Sequence, residues 1–338
     1  VSAAPPSLDL AVLGAGAWGT ALAVHFSDHH RVRLWTRQTA HADAMREQHR
    51  NARYLPAIAL PASLTIEHQL DRAVAGAELL LAAVPTGGLR PLMRSLADLD
   101  WRGPLIWVCK GFEEGTGLLP HEVVEAILPD IPSGVLSGPS FALEVAKGLP
   151  TALTLASHHR ILTGDIAAAL HGGSLRVYTS SDVVGVELGG AVKNVIAIAA
   201  GISDGLGFGF NARAALITRS AAEITRLGLA MGGQLETFMG LAGMGDLILT
   251  CTGELSRNRQ VGLRLAGGET LASILGTLGH VAEGVTSTRE TLHLAARHGV
   301  DMPITRAVYA ILYENLPPRQ AVEALLHRDQ KAEDPRSQ

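Results

Sequence analysis

The chain has 338 residues, 47% apolar and 18% charged, which is enough for sizeable cores and suggests about two domains. Its 28 basic and 32 acidic residues leave a net charge of −4, which gives no support for a nucleic-acid footprint. Cys109 and Cys251 are the only cysteines, so neither a disulfide scaffold nor a paired-cysteine zinc site is available.

Leu8–Leu13 reads as a short strand, followed by Gly14-Ala-Gly-Ala-Trp-Gly19 and an Ala-rich helix from about Thr20 to Phe26. Arg31–Thr36 is a second strand, and strand-like runs end near Val84, Lys110 and Ser137. Strands alternating with helices predict a parallel, doubly wound sheet. Ala152–Leu155 and Leu175–Thr179 read as two more strands. From Asp182 the apolar spacing becomes helical, over Val183–Ile202, Ala212–Leu227, Ser287–His298 and Ala321–Leu326. The expected fold is α/β: a doubly wound sheet domain over 1–185, an all-helical domain over 186–330 and a polar tail at 331–338. No apolar run is expected to reach the roughly 20 residues of a membrane span. Residues 1–7 carry no targeting pattern, so the expectation is a cytoplasmic protein without a transmembrane segment.

Gly14-x-Gly16-x-x-Gly19 lies between a strand and a helix, where a dinucleotide fingerprint belongs. The first glycine permits a tight turn, the second lets backbone approach a pyrophosphate, and the third allows close strand–helix packing. An NAD site usually places an acid at the end of the second strand to hold the ribose 2′-hydroxyl. None occurs between Arg31 and His41, whereas Arg37 suits the 2′-phosphate of NADP. The expected cofactor is therefore NADP or NAD, with NADP favoured.

Of the 28 basic residues only four are lysines: Lys110, Lys147, Lys193 and Lys331. Lysine, unlike arginine, titrates near neutrality when desolvated, so a lysine in apolar surroundings is a candidate acid–base group. Lys193 lies in an apolar run with Glu187 as its only charged companion, and the small residues Gly189, Gly190 and Ala197, together with Asn194, share its helical face. Asp246 is the one charge in Phe238–Thr252, and a buried carboxylate needs a partner, for which Lys193 is the natural candidate. Lys110 ends a strand and Gly138 follows one, both at carboxyl ends where ligands bind parallel sheets. Ser256-Arg-Asn-Arg259 offers donors suited to a phosphate. The fourteen histidines form no metal pattern, and the pairs His29-His30 and His158-His159 are expected at the surface. No metal site, nucleophile elbow or P-loop is read from the sequence.

Taken together, these motifs resemble bacterial-type NAD(P)-dependent sn-glycerol-3-phosphate dehydrogenase. The resemblance covers Leu10 to about Leu326, through the glycine loop, Val108-Cys-Lys-Gly111, Ser137-Gly-Pro-Ser-Phe-Ala142 and Glu187-Leu-Gly-Gly-Ala-Val-Lys-Asn194. It continues through Ala212–Arg219, Gly240–Leu247, Ser256–Arg259 and Ala282-Glu-Gly284. It implies a Rossmann-type domain and reversible reduction of dihydroxyacetone phosphate to sn-glycerol 3-phosphate, which supplies glycerophospholipids. By resemblance, Lys193 is the proton donor and acceptor, with Lys110 and Asp246 beside it. Gly138, Ser140, Ser256, Arg257 and Asn258 match substrate-contact positions, together with the two lysines and Asp246. Ala17, Trp18, Arg37, Tyr54, Lys110, Ala142, Arg257, Val281 and Glu283 match cofactor-contact positions, beside Gly14, Gly16 and Gly19. Ala17 replaces a serine common in the family, which removes a hydroxyl donor but keeps the backbone N–H. A small phosphorylated triose is the implied substrate, and the C-terminal helices are compatible with a homodimer. The competing readings are a related two-domain hydroxyacid dehydrogenase and a non-catalytic NADP(H) sensor.

Overall fold

The computed structural model describes residues 7–278 and 282–327. Among them, eight strands form one sheet: β1 (Asp9–Leu13), β2 (Arg31–Trp35), β3 (Thr65–Glu67), β4 (Leu79–Ala82), β5 (Leu105–Trp107), β6 (Ser133–Ser137), β7 (Thr151–Ala156) and β8 (Leu175–Ser180). Their order is β3-β2-β1-β4-β5-β6-β7-β8. The chain leaves β1 first toward one edge and then, at β4, toward the other. The carboxyl ends of β1 and β4 thus flank a topological switch point, the place where such sheets bind ligands. Both faces are covered, and β1 shows why. Leu10 and Val12 enter one core with Leu22, Phe26 and Leu34, while Ala11 and Leu13 enter another with Leu89, Met93 and Trp107. Alternate side chains of a strand point to opposite faces, so a sheet buried on both sides reads as a continuous apolar run.

The expected α/β architecture is present, with particular differences. The sheet is not wholly parallel, because β7 runs antiparallel to β6 and β8 follows β7. The connection from Ser137 to Thr151 holds only the short helix Ala142–Ala146 and returns to the sheet at the end it left. A parallel neighbour would need a full crossover. The short strand β3 is an addition to the expected set. His30 is buried rather than exposed: its ring accepts from the Leu8 backbone N–H at 3.1 Å and lies 3.2 Å from the Ala169 carbonyl. The tail at 331–338 lies outside the described residues.

Beyond β8 the chain is helical. A 23-residue helix, Val183–Gly205, runs through the centre of this part and is called the central helix below. It corrects one expectation, since by length and composition it could cross a membrane; yet 89% of its most apolar stretch is buried inside the protein, as in a core helix. The Asp182 carboxylate caps it, accepting from the Gly185 N–H at 2.8 Å. Around it pack the helices Gly209–Ala230, Asp246–Thr252, Arg257–Ala266 and Glu283–Arg297.

The crossing of the central helix with Arg257–Ala266 is close enough to demand glycine. A Cβ on Gly201 would stand 2.0 Å from the Arg259 carbonyl oxygen, and one on Gly262 would stand 2.1 Å from that of Ile198. Gly201→Ala is therefore expected to destabilise the protein by about 1–3 kcal/mol, the usual range for overpacking. Helical Gly276 has open space around it, so Gly276→Ala should be neutral or stabilising by up to ~1 kcal/mol. Urea midpoints of the two variants check this, and equal midpoints would show that the helices part without cost.

Candidate active site

The glycine loop joins β1 to the helix Ala17–Phe26 at the switch point. Gly14 has φ +127°, and a Cβ there would stand 2.6 Å from the Ala83 carbonyl oxygen. A Cβ on Gly19 would meet the Gly14 carbonyl oxygen at 1.9 Å. Gly16, by contrast, faces open space, which leaves its backbone accessible to a ligand. Two glycines thus serve packing and one serves access, and the helix N-terminus beyond them favours an anion. These residues fit the pyrophosphate of a dinucleotide. Buried Asn51 braces the loop, donating to the Ala15 carbonyl at 2.9 Å and to Thr20 Oγ1 at 2.8 Å. Ala17 and Trp18 open the helix, both half-buried.

Arg37 is exposed just past the carboxyl end of β2. Arg53 lies close by: it donates to Gln38 Oε1 at 3.3 Å and stands 5.0 Å from the centre of the Tyr54 ring. Tyr54 in turn packs edge-on against His41. Ala142 starts the helix after Phe141 and packs with Val145 against Ala21. Val281 lies outside the described residues.

Lys110, Lys193 and Asp246 come from three distant segments and meet. Asp246, 1% exposed, receives Lys193 Nζ on Oδ1 and Lys110 Nζ on Oδ2, the latter at 2.7 Å. Lys110 also donates to the Gly138 carbonyl at 3.1 Å, as does the Ser140 hydroxyl. Thr250, one turn after Asp246, donates to the Asp246 backbone carbonyl at 2.6 Å. Glycines admit this convergence. A Cβ on Gly190 would stand 3.1 Å from Ser137 Oγ and 3.4 Å from Lys110 Cγ, and one on Gly189 would stand 2.8 Å from the Ala242 carbonyl oxygen. Burial lowers the pKa of Lys193 to about 8, assisted by the like charge of Lys110 and opposed by Asp246. Burial raises that of Glu283, against the pull of Arg257, Lys110 and Lys193. The arrangement is a group able to exchange a proton near neutrality, held by a carboxylate beside a second cation.

Ser256 caps the helix Arg257–Ala266, its hydroxyl accepting from the Arg259 N–H at 3.3 Å. Arg257 is exposed, and its side chain makes no hydrogen bond to a described residue. Its neighbours in the four-residue cluster have internal partners. Asn258 donates to Asn194 Oδ1 at 3.0 Å and accepts from the Gly284 N–H at 3.1 Å. Arg259 grips Asp204 Oδ2 at 2.6 Å, which Arg213 reaches at 3.0 Å. Arg259 is thus committed to an ion pair inside the helical part. Both cysteines are buried, and burial pushes the Cys251 thiol up to about 12. Among the described residues no cluster of His, Cys, Asp or Glu is placed to hold a metal.

Two family models match the chain: the N-terminal part of NAD-dependent glycerol-3-phosphate dehydrogenase over residues 9–162 and its C-terminal part over 182–323. The chain belongs to the NAD-dependent glycerol-3-phosphate dehydrogenase family. A glycerol-3-phosphate dehydrogenase [NAD(P)+] from Thiobacillus denitrificans is 58% identical over 327 residues, covering 96% of this chain and all of the relative. One from Nitrosospira multiformis is 57% identical over 329 residues, covering 96% of this chain and 99% of the relative. The crystal structure of the glycerol-3-phosphate dehydrogenase from Coxiella burnetii superposes with a TM-score of 0.91 at 44% identity, covering 95% of this chain and 99% of that one.

Within this glycerol-3-phosphate dehydrogenase fold, sequence reasoning missed several residues at the site. Thr250 had a signal, being one helical turn from Asp246, whereas Asn194 is already placed on the Lys193 face by helical spacing. Asn51 and Arg53 had none, because a loop places them. Removing Asp246 would leave two ammoniums without their shared counter-ion. Asp246→Ala is expected to lower stability by about 3–5 kcal/mol, the usual cost of breaking a buried ion pair. Denaturant titration checks it, and a loss under ~1 kcal/mol would show that water or another acid compensates.

Proposed function

We infer that Lys193, held by Asp246 and flanked by Lys110, is the acid–base group for the reaction of this family, the reversible reduction of dihydroxyacetone phosphate to sn-glycerol 3-phosphate. The single observation that carries the reading is the convergence of both lysines on one buried carboxylate. A bound NAD(P)H supplies the hydride from its nicotinamide. As the ketone carbon is reduced, negative charge grows on its oxygen, and Lys193 Nζ donates the proton. Lys110 stabilises the same oxygen electrostatically. In the reverse direction neutral Lys193 takes the proton back. Asp246 orients both ammoniums. Arg257, at the start of its helix, neutralises the phosphate, with Ser256 and Asn258 lining its approach. Gly138 and Ser140 bound the substrate on the side of the sheet.

Gly14, Gly16, Gly19, Ala17 and Trp18 hold the pyrophosphate end of the cofactor, and Arg37 with Tyr54 the adenosine end. Ala142 and Glu283 supply further cofactor contacts, and Val281, outside the described residues, keeps the cofactor role that the resemblance implies. Arg37 and the absence of an acid at the end of β2 support a preference for NADP(H) over NAD(H). A cytoplasmic location is part of the same reading. So is a division of the chain at 1–185 and 186–330, supported by the end of the sheet at Ser180.

Mixing the protein with dihydroxyacetone phosphate and following NADPH, then NADH, by absorbance tests the reading directly. Oxidation of either supports it, the ratio of rates reports the cofactor preference, and no oxidation with both overturns it. Lys193→Ala is expected to lose about 10²–10⁴ in turnover, the contribution of one general acid–base group, with cofactor affinity kept. In the parent, ketone reduction needs protonated Lys193, so its rate should fall as pH rises through about 8. Alcohol oxidation needs the neutral amine and should rise over the same range. A flat profile in both directions would remove Lys193 from the proton transfer. Arg257→Ala should raise the KM for the phosphorylated substrate about tenfold or more, as expected for loss of a charge-assisted contact. An unchanged KM would move the phosphate site elsewhere.

A further inference from the structure

Glu187 is a buried carboxylate that the proposed chemistry does not use. It lies six residues before Lys193 on the central helix, with its side chain 1% exposed. Its Oε1 accepts from Trp107 Nε1 at 2.8 Å and from the His121 backbone N–H at 2.9 Å. Its Oε2 pairs with His121 Nδ1 at 2.5 Å. Trp107 ends β5, three residues before Lys110, and His121 lies in the helix Pro120–Glu125.

The contacts run in step along both elements. Trp107 meets the central helix at Glu187. Three residues further along each, the Lys110 stem passes Gly190, where a Cβ would stand 3.4 Å from Cγ. One more turn of the helix brings Lys193 to Asp246. We propose that Glu187 is a positioning residue, whose grip on Trp107 and His121 sets the register of Lys110 against Lys193.

Apolar burial alone does not fix such a register, because it has no direction. Hydrogen bonds to both oxygens of one carboxylate do. A core that needed only to be filled would be served as well by apolar side chains, since replacing a buried ion pair with them is often neutral or stabilising. Burial works against the charge of His121, but the Glu187 carboxylate, with Glu122 and Glu125, more than offsets it and raises its pKa; burial raises that of Glu187 too, against the pull of His121 and Trp107, so the fixed element is the hydrogen-bonded geometry.

The proposal rests on the reading of Lys193 and Lys110 given above, so its test compares Glu187→Ala and Glu187→Gln with Lys193→Ala. Glu187→Ala should lower kcat about tenfold or more, because displacements near 1 Å cost about that and beyond. Its KM for dihydroxyacetone phosphate and its Kd for NADPH, measured by tryptophan fluorescence, should change far less than kcat, within about threefold, since Arg257 and the glycine loop keep their places and only the register of Lys110 against Lys193 shifts. Glu187→Gln should restore kcat to within about threefold: its oxygen still accepts from Trp107 and the His121 N–H, and its amide donates to a neutral imidazole. Parent-like kcat in Glu187→Ala overturns the proposal. So does an equal loss in kcat, KM and Kd that glutamine fails to rescue. If Glu187→Ala does not fold, Trp107→Phe removes one donor and keeps a ring. It should lower kcat with KM held, and an unchanged kcat overturns the proposal. Turnover retained in Lys193→Ala defeats the acid–base reading itself. Turnover lost there but intact in Glu187→Ala defeats only the positioning role.

Discussion

One carboxylate, that of Asp246, faces two ammoniums where sheet and helices meet. Two positive charges against one negative charge leave an excess that buried surroundings tolerate poorly. Burial loosens the hold of Lys193 on its proton, with help from Lys110, and the excess of positive charge makes an anionic oxygen beside it welcome. The rest of the architecture serves this meeting. Glycines at 189 and 190 bring the central helix against the segments carrying Asp246 and Lys110, and glycines at 201 and 262 bring it against the helix that presents Arg257. A Cβ at 189, 201 or 262 would force these elements apart, and one at 190 would crowd the Lys110 stem.

The reversal of direction between β6 and β7 has a geometric purpose in the same scheme. The first six strands deliver Gly14, Lys110 and Gly138 at their carboxyl ends. β7 and β8 run back, so β8 ends at the opposite side of the sheet, near the start of β6; Ser180 and Ser133 both bond to Ser157 there. The central helix starts from that side. It climbs at about 1.5 Å per residue and carries Lys193 up to the level of Lys110. A wholly parallel sheet would start the helix at the wrong end.

Much of this is legible in the amino-acid sequence. The glycine loop stands in the right context, and two lone charges in apolar runs, Lys193 and Asp246, are partners. The turn from parallel to antiparallel is not legible, because a strand's direction depends on its connection and not on its own residues. Arg259 misleads for a related reason: side-chain type shows what a residue is able to bind, whereas its partner Asp204 lies on another helix 55 residues away. His30 likewise reads as half of a polar surface pair, yet it sits between Leu8 and Ala169. The bracing of the glycine loop by Asn51 depends on a loop fold that no periodicity announces.

The sharing of Asp246 also bears on how the chain comes together. Lys110 and Asp246 are 136 residues apart, and Lys193 precedes Asp246 by 53. A chain made from its N-terminus therefore exposes both lysines well before their counter-ion exists. Until then the two meet as like charges, and closing the junction over them costs several kcal/mol. Closing the sheet against the central helix is favoured once residue 246 supplies the shared counter-ion.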